Sequence, residues 1–129
     1  MPIRIVQLGS DRIKDEGLRI GTVRRPPRGV PKSQYAPRNF YDVWLPDLAP
    51  SADVVADYQR SKGTEADWRR LERRYRSEMK QPEKERLLAL LAALSHTSSF
   101  SVGCYCADEA RCHRSILNEL LREHGAAMA

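Results

Sequence analysis

The chain has 129 residues, 30% of them charged and 41% hydrophobic, and carries a formal net charge of +5. That length suits one domain with a real core, and the balance is that of a globular chain rather than a disordered one. The longest apolar run, "LLALLAAL" (Leu87 to Leu94), is far short of the ~18 residues of a membrane span, and the charged opening "MPIRIVQLGSDRIK" is not a secretory signal.

A cytoplasmic protein with no membrane contact is therefore expected. In that compartment its three cysteines would stay reduced, as thiols or ligands rather than disulfides.

Alternation in "IRIVQLG" (Ile3 to Gly9) and "LRIGTVR" (Leu18 to Arg24) predicts two strands. From Arg24 to Phe40, "RRPPRGVPKSQYAPRNF" carries five positive charges and no acid. Its prolines exclude regular structure, so 24–40 reads as a basic, proline-rich loop. Loops of that length in a small domain are usually functional or disordered. "YDVWL" (Tyr41 to Leu45) forms a short extended piece ended by Pro46.

Ser51 is the expected N-cap of a helix reaching about Lys62 and closed by Gly63. Thr64 and Asp67 form a capping box for a second helix, which buries Trp68, Leu71 and Tyr75 on one face. Arg69, Arg73, Arg76 and Lys80 then make a basic face, read as solvated and tempered by Glu65, Glu72 and Glu78. Pro82 opens a third helix to about His96, apolar enough to be wet on almost no side. "SFSVGCY" (Ser99 to Tyr105) is the last strand. A final helix begins near Cys112, buries Ile116, Leu117, Leu120 and Leu121, and stops at Gly125, leaving 126–129 as a frayed tail. Strands separated by helices give a single α/β domain over 1–129, with a small, mainly parallel central sheet flanked by about four helices.

The chemistry concentrates in "VGCYCADEARCHRS" (Val102 to Ser115), a strand-loop-helix unit at a strand's carboxyl end, where open α/β sheets place their sites. Alternation puts Cys104 and Cys106 on one side and Tyr105 on the other. Cys104, Cys106, Cys112 and His113 have the softness of a zinc set. Their spacing argues against one, because adjacent helical residues project about 100° apart and there is no C-x₂-C pair. No metal or cofactor is expected.

A cysteine at a helix N-terminus near Arg111 and Arg114 favours thiolate, which singles out Cys112. The spacing is not that of a C-x₅-R phosphatase loop, and plain packing between strand and helix is a competing fate for Cys104. His113 shares the stripe of buried leucines. A histidine bonded to strand backbone and a catalytic or ligand role stand level for it. Arg114 turns away from that stripe, and with Ser115 and the free amides of the first helical turn it makes an anion site.

The strand-end Cys104 with "CHR" (Cys112 to Arg114) opening the last helix resembles the bacterial YeaO-like family, the domain of unknown function 488. "TVRRPPRG" (Thr22 to Gly29), "WLPDLAPS" (Trp44 to Ser51) and "DWRRLERRYRSEM" (Asp67 to Met79) resemble it as well, over about Leu18 to Gly125. The resemblance implies a compact α/β fold and a pocket pairing the "VRRPPRG" loop with the "CHR" helix, and supplies no activity. The resemblance also implies an acid, carried by many relatives, two places after the strand-end cysteine, where this chain has Cys106. Asp108 or Glu109 is then the candidate to serve in its place.

The expected site joins Cys104, Cys106, Cys112, His113, Arg114 and Ser115 to Arg24, Arg25 and Arg28, around an anionic, phosphate-containing ligand. As an enzyme it would use Cys112 or Cys104 as nucleophile, His113 as proton carrier and the arginines as an oxyanion clamp. As a nucleic-acid-binding module, the loop would track phosphates while Tyr35, Phe40 and Tyr41 stack on bases. As a redox or metal sensor it would use the thiols alone.

Overall fold

The computed structural model describes residues 2–106, 108 and 111–129. Four strands, β1 (Ile3–Gln7), β2 (Leu18–Gly21), β3 (Val43–Trp44) and β4 (Phe100–Cys104), form one sheet in the order β1-β4-β2-β3. All three pairings are parallel, with Ile5 and Ile20 both opposite Val102 and Ile20 also opposite Val43. The expected α/β domain is what the chain forms. The helices are α1 (Ala52–Arg60), α2 (Glu65–Glu78), α3 (Pro82–Leu94) and α4 (His113–Glu123). None is long and apolar enough to cross a membrane.

The caps read from the sequence set the helix starts. The Ser51 hydroxyl accepts from the Val54 amide at 3.3 Å. Thr64 and Asp67 make the reciprocal box, at 3.2 and 3.0 Å. The buried faces of the helices join Ile3, Ile20, Phe100 and Val102 in one core. There α4 packs on β4, α2 and α3 flank α4, and α1 lies against α2. Tyr75 is fully buried in that core, and its hydroxyl donates to the Leu48 carbonyl at 2.6 Å.

Loops, rather than helices, cover the other sheet face. Tyr41 lies over Gly21, where an added Cβ would sit 2.3 Å from its ring, so only glycine admits the aromatic there. Beside it Arg19, fully buried, makes a two-pronged pair with Glu16 at 2.8 and 3.0 Å. It also donates to the carbonyls of Ser10 and Asn39, both at 2.8 Å. The Ser101 hydroxyl donates to the same Glu16 carboxylate at 2.9 Å. Burial alone would raise the Glu16 pKa, but Arg19 and Ser101 outweigh it and hold the carboxyl below its usual range.

Two expectations need correction. The tail is not frayed: the Ile3 amide donates to the Ala127 carbonyl and the Ala129 amide to the Ile3 carbonyl, each at 2.8 Å. Met128 packs against the core, so 127–129 extend the sheet beside β1. Nor is α3 dry all round. Leu88 and Leu91 are buried, while Leu90 is 53% and Leu94 41% exposed, because one face of α3 looks outward. On the basic face of α2, Arg69 pairs with Glu65, and Arg76 reaches Glu72 on its own helix and Glu119 and Glu123 on α4.

Candidate functional site

The sheet runs Cys104 out at the end of β4, and the chain bends through Tyr105 to Cys106. Tyr105 faces away, as alternation requires, packing edge-on to Phe40 and donating its hydroxyl to the Arg25 carbonyl at 2.9 Å. Cys104 and Cys106 face one another with sulfurs 3.6 Å apart. Cys112 is the N-cap of α4, and its extended backbone (φ −119°, ψ 144°) turns its side chain back toward the strand end. All three sulfurs therefore lie within 4.8 Å of one another. Cys104 and Cys112 are buried and Cys106 is exposed, all as free thiols.

This arrangement decides which sulfur is charged. The thiols of Cys104 and Cys112, followed by His113 and then Arg114, pull the Cys106 pKa far below that of an ordinary thiol, against the opposing effect of burial. Contact with Cys106, with burial, pushes Cys104 up against the opposing Cys112 thiol, and contacts with both other thiols, with burial, push Cys112 up. The contacts thus favour ionisation of Cys106, whereas Cys112, expected from the sequence to be the thiolate, is only 1% exposed and pushed up. Arg111, expected to support the thiolate, pairs its guanidinium with Glu65 at 2.9 Å and sits near the Trp68 ring.

His113 Nε2 lies 2.7 Å from the Thr22 carbonyl. A carbonyl only accepts, so Nε2 carries the proton. Burial lowers the His113 pKa and keeps the ring neutral, edge-on to Tyr75. Of the two roles left open for His113, the bond to strand backbone is the one its Nε2 makes. Among the described residues, the group that could take a thiophilic ion is Cys104, Cys106 and Cys112, without His113.

Arg114 is 4% exposed and donates to the Cys106 carbonyl at 2.9 Å. Expected to turn away from the buried stripe toward an anion, it instead supports the thiol loop from inside. The Ser115 hydroxyl donates back to the Cys112 carbonyl at 2.9 Å. Neither residue lines the neighbouring cleft.

That cleft, of about 660 Å³, does join the basic loop to the thiol unit. Arg24, Arg25 and Arg28 form one side, Cys104, Cys106 and His113 another, and α1 from Ala52 to Gln59 a third, bringing Asp53 with it. Arg24 is steadied by the Pro50 and Ala49 carbonyls at 3.2 and 3.0 Å. The start of α1 and these carbonyls were not foreseen as part of the site. The aromatic platform is not there either: Tyr41 is 4% exposed and Tyr35 packs edge-on to it. Asp108 is exposed, and Glu109 lies outside the described residues.

No curated protein and no solved structure matches the chain. Residues 3–125 match the family model DUF488-N3a, described as the active DUF488-N3 subclade. That match covers nearly the whole domain, from β1 through the stop of α4, and includes every residue of the cleft. The chain is therefore a member of the DUF488-N3a family, within the DUF488 group that its strand-end cysteine and "CHR" helix resemble.

Proposed function

We propose that this protein is a thiol-dependent enzyme whose cleft holds an anionic ligand bearing a phosphate-like oxyanion group. Arg24, Arg25 and Arg28 clamp the oxyanion, and Cys106 supplies the nucleophilic thiolate in place of the Cys112 or Cys104 expected from the sequence. His113 acts as a positioning residue that ties α4 to β2, and Arg114 fixes the Cys106 peptide. The observation carrying this reading is the meeting of an exposed cysteine, flanked by two thiol donors, with three arginines on one cleft. A thiolate beside guanidinium groups is the pairing that attack on an anionic centre needs, because the cations offset the repulsion between two negative partners.

Titrating wild type and the Arg24→Gln/Arg25→Gln/Arg28→Gln variant with phosphate, a nucleotide and an oligonucleotide across a salt series tests it. Loss of affinity for the small anions in the variant supports the reading. Equal affinities for all three ligands would remove it. Binding confined to the oligonucleotide, with a log–log salt slope that flattens by about one unit per lost contact, would instead mark a nucleic-acid-binding surface. The close sulfurs favour one competing occupant, a thiophilic metal. About one zinc per chain, lost in Cys106→Ser, would establish it.

A further inference from the structure

One sulfur suffices for a thiolate nucleophile, yet this site gathers three. Cys104 and Cys112 are buried behind Cys106, and the Cys104 and Cys106 sulfurs stand 3.6 Å apart. Simple group transfer gives those two no work beyond tuning Cys106. Reductive chemistry employs one of them, because a covalent thiol–ligand adduct is discharged by a second thiol within reach.

We infer that the site reduces a tetrahedral oxyanion whose central atom sulfur can attack, of the arsenate class, with Cys106 as attacking thiolate and Cys104 as resolving thiol. The inference rests on the reading of the cleft above and names its substrate class. The Cys106 sulfur bonds to the central atom, and one oxygen leaves that atom as water, taking a proton from a neighbouring thiol and one from solvent or the anion. The Cys104 sulfur then attacks the Cys106 sulfur. The bond from Cys106 to the central atom breaks, and its electron pair stays on that atom. For arsenate the sum is H₂AsO₄⁻ + 2 RSH → RSSR + H₂AsO₃⁻ + H₂O, with arsenic reduced by two electrons and two thiols oxidised to one disulfide. An external thiol restores the resting enzyme. Side-chain rotation closes the 3.6 Å gap to a bond of about 2.05 Å.

The geometry also separates this substrate from a peroxide. A neutral peroxide gains nothing from three arginines, whereas a singly or doubly charged oxyanion does.

The test is a single turnover by the fully reduced, full-length chain, under exclusion of oxygen and without added thiol. Arsenate is the probe, and phosphate and hydrogen peroxide run in parallel. Arsenate is expected to leave one titratable thiol of three per chain, release one arsenite and yield a Cys104–Cys106 disulfide on peptide mapping. Phosphate is expected to leave all three thiols and to slow the arsenate reaction. Cys106→Ser should abolish turnover. Cys104→Ala should slow it at least tenfold, compared at a pH high enough to ionise Cys106 in both proteins, while its circular dichroism reports an intact fold. Three thiols remaining although arsenate protects Cys106 from alkylation would overturn the inference and leave the cleft reading standing. Failure of both arsenate and phosphate to protect Cys106 would overturn both. Oxidation by peroxide but not by arsenate would overturn the oxyanion assignment.

Discussion

The imidazole of His113 and the main-chain oxygen of Thr22, 2.7 Å apart, fasten the first residue of α4 to the end of β2. The bond fixes the tautomer, and burial depresses the pKa, so the ring stays neutral at pH 7. A base whose folded pKa is depressed contributes stability above its unfolded pKa of about 6.5, and that contribution is lost as pH falls toward the folded value. Nitrogen-detected NMR should show Nε2–H at pH 7 and titration below the usual histidine range. His113→Gln should flatten the loss of stability as pH falls below the unfolded value of about 6.5.

Cys106 should behave as a thiolate where other cysteines do not. Its surroundings are Cys104 from β4; Cys112, His113 and Arg114 from the start of α4; and Arg24, Arg25, Arg28 and Asp53 across the cleft. An ordinary thiol, with a pKa near 8.5, loses about tenfold in alkylation rate per pH unit below it. The rate at Cys106 is expected to stay level from pH 8 to pH 6. Cys104→Ala removes one thiol donor and should restore a slope toward the acid side. A wild-type rate falling tenfold per unit through this range would mean that the buried thiols do not stabilise the charge.

The Arg19–Glu16 pair is buried on the loop-covered face. Arg19→Met strands a buried carboxylate and should cost about 3–5 kcal/mol. Arg19→Met/Glu16→Leu should recover much of that, because replacing both charges removes the unpaired one. Urea denaturation of the two variants measures the difference. Acid should weaken the wild type as well, since a depressed carboxyl stabilises above its unfolded pKa of about 4.3 and loses that contribution as pH falls through the folded value.

Gly21→Ala would drive a methyl group to 2.3 Å from the Tyr41 ring. The ring must shift or the strand must move, at a cost of about 1–3 kcal/mol. A lowered urea midpoint at unchanged slope is expected. An unchanged midpoint would show that the loop carrying Tyr41 gives way freely.

Much of this was legible in the sequence because its cues are local. Ser51, Thr64 and Asp67 signal their caps by spacing, and the stripes of α2 and α4 follow from helical periodicity. The union of the 24–28 arginines with the cysteine unit followed from placing two strand ends side by side in a parallel sheet. The closeness of the sulfurs did not follow. Cys112 and His113 were set about 100° apart as helical neighbours, but Cys112 is an extended N-cap, to which helical angles do not apply. Arg19 and Glu16 were silent for a related reason. A charge in a strand reads as surface, and only the loop folded over that face buries it.

The most direct measurement of the central claim is residue-resolved alkylation, at a limiting amount of iodoacetamide and neutral pH, with and without phosphate. If Cys106 is the thiolate of an anion-binding cleft, peptide mapping will place nearly all label on Cys106. Phosphate will protect it, and the protection will vanish in the Arg24→Gln/Arg25→Gln/Arg28→Gln variant. Label shared evenly among Cys104, Cys106 and Cys112, or labelling of Cys106 that phosphate leaves unchanged, would contradict the account.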